Sequence, residues 1–243
     1  MKKIPTLFDR EFKDHKVVKV FPKVHPGMEW VLEGEGIATV KYDGSCCAVI
    51  DGKYYKRYDC KEGKIPPEGF IPCCEPDSIT GHWPGWVKVD ENNPSDKWFL
   101  KAYSPIKGNV TIYLADGTYE AIGKHFCGNP YNMDYDKLVQ HGKEIVEVER
   151  TFEGIKKYLF EHEIEGLVFW KDGSPQCKIK RSDFGFEWPV KGGGVNHEKC
   201  MESIINFTCR RYSNCNIRNL WSTKFPESCN IIGRTGRISI IRH

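Results

Sequence analysis

The sequence predicts an α+β fold built mainly from antiparallel strands, and three observations support this prediction. Short β-branched or apolar segments alternate with turn signals along the first 190 residues. Two dipeptides, Asp51-Gly52 and Asp172-Gly173, have the composition of tight turns that join neighbouring antiparallel strands. Clear helical spacing of apolar residues follows only Thr151. Many strands with few helices are typical of an α+β domain.

The first strands are predicted around the Asp51-Gly52 turn. Residues 37–42 form a β-branched, apolar segment, and the pair Ser45–Ile50 and Lys53–Tyr58 flanks the turn. A second hairpin is predicted from Glu165–Trp170 and Gln176–Arg181, which flank Asp172-Gly173.

Two helices are predicted between these hairpins. Thr151 is a suitable N-cap for a helix ending near Glu161, and Phe152, Ile155 and Leu159 recur at the spacing of one helical face. That face is expected to pack against a sheet. A weaker pattern predicts a shorter helix over 134–143.

Composition and charge divide the chain near Lys191. The 243 residues are 40% hydrophobic and 28% charged, as in ordinary globular enzymes. The stretch Lys191-Gly192-Gly193-Gly194 resembles a linker, and the 9 Lys/Arg against 3 Asp/Glu beyond residue 190 give that part a charge of +6. We therefore expect a folded domain over 1–190 and a basic extension over 191–243. A basic extension is compatible with phosphate binding and equally with solvated surface charge.

Localisation and redox state follow from what the sequence lacks. It has no apolar run of the roughly 20 residues that a membrane helix needs, and its first residues show no secretory pattern. We therefore expect an intracellular protein, cytoplasmic or nuclear, whose eleven cysteines are reduced thiols. A zinc site in the basic extension is the alternative for its cysteines and histidines: His197, Cys200, Cys209, Cys215, Cys229 and His243.

Lysines and a carboxylate near the ends of two predicted strands are the candidate catalytic and anion-binding residues. Strand alternation predicts that Lys41 and Asp43 lie on one face of an element that ends at Gly44, which permits a turn. Strand alternation puts Lys178 and Lys180 on one face, with Cys177, Ile179 and Arg181 on the other. Because neighbouring lysines repel each other, a shared face suits an anion such as a triphosphate.

These residues occur in an order that resembles the covalent nucleotidyltransferase superfamily, which contains ATP-dependent DNA and RNA ligases and mRNA capping enzymes. Five elements carry the resemblance: Lys41-Tyr42-Asp43-Gly44, Arg57, Tyr119-Glu120-Ala121-Ile122-Gly123, Glu165-Gly166-Leu167-Val168 and Lys178-Ile179-Lys180. The resemblance implies a ligase adenylation domain of antiparallel sheets with flanking helices.

Further segments resemble the vertebrate-type 5′–3′ RNA ligase 1 family over about residues 15–190. They are Asp43–Cys47, Gly81–Val87, Gly128–Tyr131 and Trp188-Pro189. Val40 stands where related RNA ligases often have Glu, so only a backbone contact to adenine would be retained there. About 60 residues follow Lys180 without a clear strand pattern, which predicts that no OB domain follows.

The resemblance implies a reaction and assigns residues to it. Lys41 would attack ATP and carry AMP, with Lys178, Lys180 and Glu165 as catalytic partners and Mg²⁺, or Mn²⁺, bound through Glu165. Glu120 would contact the ribose. His125 and His141 lie near it in sequence, where they could line the adenine pocket or be ordinary surface or packed histidines. The implied partner is RNA with 5′-phosphate and 3′-hydroxyl ends, acted on by a monomer. Nucleotide binding is assigned to Val40, Asp43, Gly44, Arg57, Glu120, Glu165, Lys178 and Lys180.

Two other functions remain open from the sequence. One is a GTP-dependent mRNA capping guanylyltransferase, which would also form a covalent lysine adduct. The other is a catalytically inactive nucleic-acid-binding module, for which Trp83 and Trp86 could stack on bases. Packing around a turn at Pro84-Gly85 is the alternative role for these tryptophans.

Overall fold

The structure is a computed structural model that describes residues 3–14, 16–103 and 114–190, and the backbone of a hairpin at 106–107 and 110–111. The basic extension over 191–243 and its zinc alternative lie outside the described residues. Among the described residues, no helix is long and apolar enough to cross a membrane.

The described residues form an α+β fold, as predicted, with antiparallel pairing between all paired strands. Two α-helices are present in this part of the chain, α1 (Lys97–Tyr103) and α2 (Phe152–Glu161). The strands are β1 (Phe8–Lys13), β2 (Lys16–Val24), β3 (Ile37–Lys41), β4 (Ser45–Ile50), β5 (Lys53–Cys60), β6 (Ile71–Pro72), β7 (Trp83–Lys88), β8 (Ile106–Lys107), β9 (Val110–Thr111), β10 (Gly117–Gly123), β11 (Asp136–Gln140), β12 (Ile145–Val146), β13 (Gly166–Lys171) and β14 (Ser174–Lys180).

Two sheets position the functional residues. One has six strands in the order β11-β10-β4-β5-β7-β6, and the other has four in the order β12-β3-β13-β14. Strands β1 and β2 form a separate hairpin, and so do β8 and β9. The strand that carries Lys41 therefore lies in one sheet, and the strand that carries Glu120 lies in the other.

Both predicted hairpin turns are confirmed. Asp51 and Gly52 have φ values of 51° and 68°, and Asp172 and Gly173 have 51° and 72°. Two consecutive positive φ angles give a turn whose twist matches that of the strands it joins. The second hairpin is shifted slightly from its predicted bounds, since Glu165 precedes β13 and β14 already begins at Ser174.

Helix α2 confirms the prediction made from Thr151. The Thr151 hydroxyl accepts a hydrogen bond from the amide of Gly154 at 3.0 Å, which satisfies one free amide of the first turn. Ile155 and Leu159 are fully buried against the four-stranded sheet, beside Leu167 and Ile179.

Replacing Leu159 by Ala is expected to lower the free energy of unfolding by about 2–5 kcal/mol, because the truncation leaves a cavity in this core. Urea denaturation monitored by circular dichroism measures the change. Lys157→Ala is the control on the same helix, since its side chain is 73% exposed, and should change stability by less than about 0.5 kcal/mol. Equal effects of the two substitutions would contradict the packing described.

Two local predictions are wrong. Residues 134–143 contain strand β11 instead of a helix, because Leu138 and Val139 pair with β10 along its free edge. Cross-strand hydrogen bonds there outweigh a weak helical preference. Pro84 and Gly85 lie inside strand β7 instead of a turn. Trp86 is nevertheless buried, which agrees with a packing role.

Helix α1 was not predicted from the sequence. Asn93 accepts a hydrogen bond from the amide of Ser95, and a short 3₁₀ turn over Pro94–Asp96 leads into the helix. Asp96 is buried, where its carboxylate accepts hydrogen bonds from Lys56 and from the amide of Asp90. Helix α1 is only seven residues long and packs on the six-stranded sheet through aromatic side chains.

Candidate active site

The candidate active site is centred on strand β13, which lies between β3 and β14. Gly166 is paired with Lys41 on one side and with Lys180 on the other. A Cβ atom at Gly166 would lie 2.2 Å from the Ile179 carbonyl oxygen, so only glycine permits this approach. The register therefore brings two lysines from distant parts of the sequence to the same position along the sheet.

Glu165 joins these two lysines. Its Oε2 atom accepts a hydrogen bond from the Lys41 ammonium, and its Oε1 atom lies 2.6 Å from Lys180 Nζ. The Glu165 side chain is 6% exposed, against 21% for Lys41 and 37% for Lys180. One buried carboxylate thus holds both ammonium groups at the start of β13.

Lys178 lies in the same positive cluster. Burial lowers its pKa, and the charges of Lys41 and Lys180 lower it further. Burial acts in the same direction on Lys180, but the Glu165 carboxylate outweighs it and raises the pKa of Lys180. The alternation predicted for β14 is confirmed, since Cys177, Ile179 and Arg181 are buried on the opposite face.

Lys178→Met is expected to raise the free energy of unfolding by about 0.5–2 kcal/mol at pH 7, because it removes a charge that the folded protein disfavours. A lysine with a lowered pKa binds its proton more weakly in the folded state than in the unfolded state. The gain should therefore shrink as the pH rises towards the ordinary value of 10.5. Urea denaturation at several pH values measures it, with the exposed Lys157→Met as control. A lower free energy of unfolding in Lys178→Met would contradict the conclusion that burial and the neighbouring lysines disfavour the charge of Lys178.

Asp43 lies beyond the strand that carries Lys41. We expected one element ending at Gly44, but β3 ends at Lys41, so strand alternation does not set the orientation of Asp43. Its carboxylate instead accepts a hydrogen bond from Trp188 Nε1 at 2.8 Å, and its amide donates to the Tyr131 hydroxyl at 2.6 Å. These contacts fix the connection between β3 and β4.

Gly44 allows that connection to pass close to β10. A Cβ atom there would lie 2.2 Å from the Ala121 carbonyl oxygen and 3.0 Å from Glu120 Cγ. The connection therefore links the lysine of one sheet with the glutamate of the other.

Tyr131 lies where three carboxylates converge. Burial raises its pKa, and the charges of Glu165, Asp43 and Glu120 raise it further, although its hydrogen bond with the Asp43 amide acts in the opposite direction. The pKa of the Cys127 thiol is also raised, first by partial burial and then by the charges of the same three carboxylates. The three carboxylates predicted from the sequence, Asp43, Glu120 and Glu165, therefore all lie near Tyr131 and Cys127.

Glu120 contacts His141. Its Oε2 atom lies 2.9 Å from His141 Nε2, and His141 Nδ1 lies 3.0 Å from the Thr118 hydroxyl. Arg57 is near Cys46, which pairs with Glu120 across the six-stranded sheet. Burial and Glu120 raise the pKa of the Cys46 thiol to about 12, and Arg57 opposes this rise. His125 pairs with Asp136 at 2.7 Å and stacks on Trp98 instead.

Val40 lies on β3 and contacts Glu144. Its amide donates to the Glu144 carbonyl oxygen at 3.0 Å, so this donor is already used within the protein. The hydroxyl of the neighbouring Tyr42 also contacts the Glu144 carboxylate. The segment over 144–146 thus borders β3, which carries Lys41, from its outer edge, where β12 pairs with β3.

The arrangement is suited to an anionic ligand and a lysine nucleophile. Lys41, Lys178 and Lys180 supply positive charge, and Glu165 is close enough to hold a proton that Lys41 loses. Sequence reasoning missed Tyr131 as the partner of the Asp43 amide, and Trp188 and His141 as partners of the Asp43 and Glu120 carboxylates. The family-like segments Gly128–Tyr131 and Trp188-Pro189 were the available signal for the first two.

No family model matches the chain. Relatives of the chain include three proteins named RNA ligase 1. The protein of Pongo abelii is 25% identical over 260 residues, covering 77% of this chain and 78% of the relative. That of Danio rerio is 31% identical over 146 residues, covering 48% and 45%. That of Rattus norvegicus is 25% identical over 295 residues, covering 87% and 88%. The chain is therefore distantly related to RNA ligase 1 proteins.

Proposed function

We propose that this protein is an ATP-dependent RNA ligase that joins 5′-phosphate and 3′-hydroxyl ends through AMP bound covalently to Lys41. The observation that carries the proposal is the convergence of Lys41 and Lys180 on Glu165 from the strands beside β13. The relatives named RNA ligase 1 support the polymer and the reaction class. The antiparallel α+β fold is compatible with an adenylation domain.

The first step is transfer of AMP from ATP to Lys41. An ordinary lysine, with a pKa of about 10.4, is almost entirely protonated at pH 7, so Lys41 must lose a proton before it attacks. Glu165 already accepts a hydrogen bond from Lys41 and is placed to take that proton. A P–N bond then forms at the α-phosphorus, the bond to the β-phosphate breaks, and pyrophosphate leaves.

Lys178 and Lys180 would stabilise the negative charge on the phosphoryl oxygens during this transfer. Both belong to the same positive cluster as Lys41, through Glu165 for Lys180 and through mutual charge repulsion for Lys178. Arg57 is proposed to assist from the six-stranded sheet, and Asp43 and Gly44 to border the nucleotide. Glu120 would accept a hydrogen bond from a ribose hydroxyl, since His141 holds its carboxylate in place.

The donor set also fits Mg²⁺, or Mn²⁺, at Glu165. A carboxylate is the hard oxygen ligand that such ions prefer. Both oxygens of Glu165 contact ammonium groups in this structure, so a metal requires one of them to withdraw. Lys41 no longer carries an ammonium once AMP is attached, and Oε2 becomes available when Glu165 has passed the proton it took from Lys41 to solvent. When bound, the metal would neutralise phosphate oxygens.

Two further transfers would complete the joining reaction. A 5′-phosphate oxygen of the RNA attacks the phosphorus of the Lys41 adduct, so that the P–N bond breaks and lysine is regenerated. A 3′-hydroxyl then attacks the activated 5′-phosphate, a phosphodiester forms, and AMP leaves. Both transfers develop the same kind of phosphoryl charge as the first, so one positive cluster can serve all three.

Labelled nucleotides, together with RNA and DNA strands that have defined ends, test the proposal. The protein is incubated with α-³²P-ATP or α-³²P-GTP and Mg²⁺, and denaturing gels detect label bound to protein. The proposal predicts labelling by ATP and subsequent joining of 5′-phosphorylated RNA in preference to DNA. Labelling by GTP alone would indicate a capping enzyme, and nucleic-acid binding without label from either nucleotide would indicate a binding module.

A further inference from the structure

Three metal-ligating side chains meet on the six-stranded sheet, beside the lysine cluster. Cys46 lies on β4, Glu120 on β10 and His141 directly after β11, and β10 lies between the other two strands. Glu120 pairs with Cys46 across the sheet, and the His141 amide donates to the Thr118 carbonyl oxygen at 3.0 Å. The sheet register therefore sets the spacing of this set.

The ligand atoms of these side chains are close together. The Cys46 sulfur, a Glu120 oxygen and a His141 nitrogen all lie within 4.8 Å of one another. Ligands on a tetrahedral zinc ion are separated by roughly 3.3–3.8 Å, given metal–ligand bonds of about 2.0–2.3 Å. The 4.8 Å limit exceeds this spacing by only about 1 Å, and the 2.9 Å contact between Glu120 and His141 would lengthen slightly on binding.

Thr118 supports His141 as a ligand. The Thr118 hydroxyl lies 3.0 Å from His141 Nδ1, which leaves Nε2 directed at Glu120. Metal-bound histidines usually form such a hydrogen bond through their other ring nitrogen, and it fixes the tautomer and the ring orientation. The side chains of Glu120 and His141 are only 12% and 17% exposed, so the set is shielded from solvent on most sides.

We propose that Cys46, Glu120 and His141 form a binding site for Zn²⁺, with water as the fourth ligand. Thiolate, imidazole and carboxylate together favour Zn²⁺ over Mg²⁺, which is bound almost exclusively by oxygen. Binding replaces the thiol proton, and a thiolate with a carboxylate balances the charge of a dication. This site is distinct from the metal position at Glu165 in both ligand type and sheet.

Occupancy of this site would have a functional consequence that rests on the proposed function. Zinc would engage the carboxylate that we assign to the ribose, so Zn²⁺ should compete with ATP for the site. The expected effect is inhibition of Lys41 labelling by Zn²⁺ that higher ATP concentrations relieve. Metal binding itself can be measured without any nucleotide, so the two proposals can fail separately.

Cobalt substitution tests the site directly. The reduced, metal-free full chain is titrated with Co²⁺, which gives a thiolate charge-transfer band in the near ultraviolet when sulfur is a ligand. We expect a band in the wild type that Zn²⁺ abolishes and that Cys46→Ser lacks. The band should persist when Cys200, Cys209, Cys215 and Cys229 are all replaced by Ser. Absence of the band in the wild type, or its persistence in Cys46→Ser, would overturn the proposal.

Two further measurements guard against misfolding of Cys46→Ser. Thr118→Val should weaken Co²⁺ binding by about 10–100-fold, because it removes the partner of His141 Nδ1. X-ray absorption of the zinc-loaded wild type should show one sulfur ligand with nitrogen and oxygen ligands. Unchanged affinity in Thr118→Val, or a zinc environment without sulfur, would contradict the assignment.

Discussion

Lys41→Arg is expected to abolish covalent labelling by α-³²P-ATP, lowering it by at least about 1,000-fold. Arginine keeps the positive charge and can still pair with Glu165, but its guanidinium is protonated at all relevant pH values and is a poor nucleophile. The variant therefore separates the role of charge from the role of the amine. Labelling after a fixed incubation, quantified on denaturing gels, measures the loss.

Lys171→Arg is the matched control for this variant. Lys171 ends β13, the strand next to the one that carries Lys41, contacts the carboxylate of Glu35, and is 37% exposed, as Lys180 is. Its substitution should leave labelling within about twofold of the wild type. Retention of labelling in Lys41→Arg would contradict the assignment of the nucleophile.

Glu165→Gln is expected to lower labelling by at least about 100-fold, because it removes the acidic partner that Lys41 and Lys180 share. The amide has the same shape but cannot take the proton from Lys41 or offset the ammonium charges. The free energy of unfolding should fall by about 1–3 kcal/mol, because the substitution leaves two lysines without their buried carboxylate. The partial solvent exposure of Lys180 limits the loss. Initial labelling rates and urea denaturation measure the two effects.

Glu35→Gln is the control for charge removal at a lysine pair. Glu35 contacts Lys171 at the exposed end of β13, so its loss should change stability by less than about 1 kcal/mol and leave labelling unaffected. If Glu165→Gln behaved as Glu35→Gln does, Glu165 would be an ordinary surface partner and the proposed proton transfer would be wrong.

Local signals in the sequence predicted the features that depend on few residues. The Asp-Gly turns, the Thr151 cap and the alternation of Lys178 and Lys180 each follow from neighbouring positions, and each is present. The weak pattern over 134–143 gave the wrong element, because the free edge of β10 determines the conformation of β11. Strands β1 and β2 carry many exposed polar side chains, and we did not predict them.

The contacts that complete the site could not be predicted from spacing. Trp188 and Asp43 are separated by 145 positions, and Lys41 and Glu165 by 124. Their meeting depends on the register of β13 between β3 and β14, which no local pattern specifies. The ordered motifs indicated that these residues belong together, and the fold supplies the distances. The contact of Tyr131 with Asp43 required the three-dimensional arrangement, and that of His141 with Glu120 required the pairing of β11 with β10.

Mass spectrometry of the protein after incubation with ATP and Mg²⁺ tests the central proposal most directly. Proteolysis and fragmentation under neutral or basic conditions, which preserve the phosphoramidate, locate the modified residue. We predict a single AMP on Lys41. AMP on Lys178 or Lys180, or no adduct on a protein shown to be folded, would contradict the proposal that Lys41 is the nucleophile of this site.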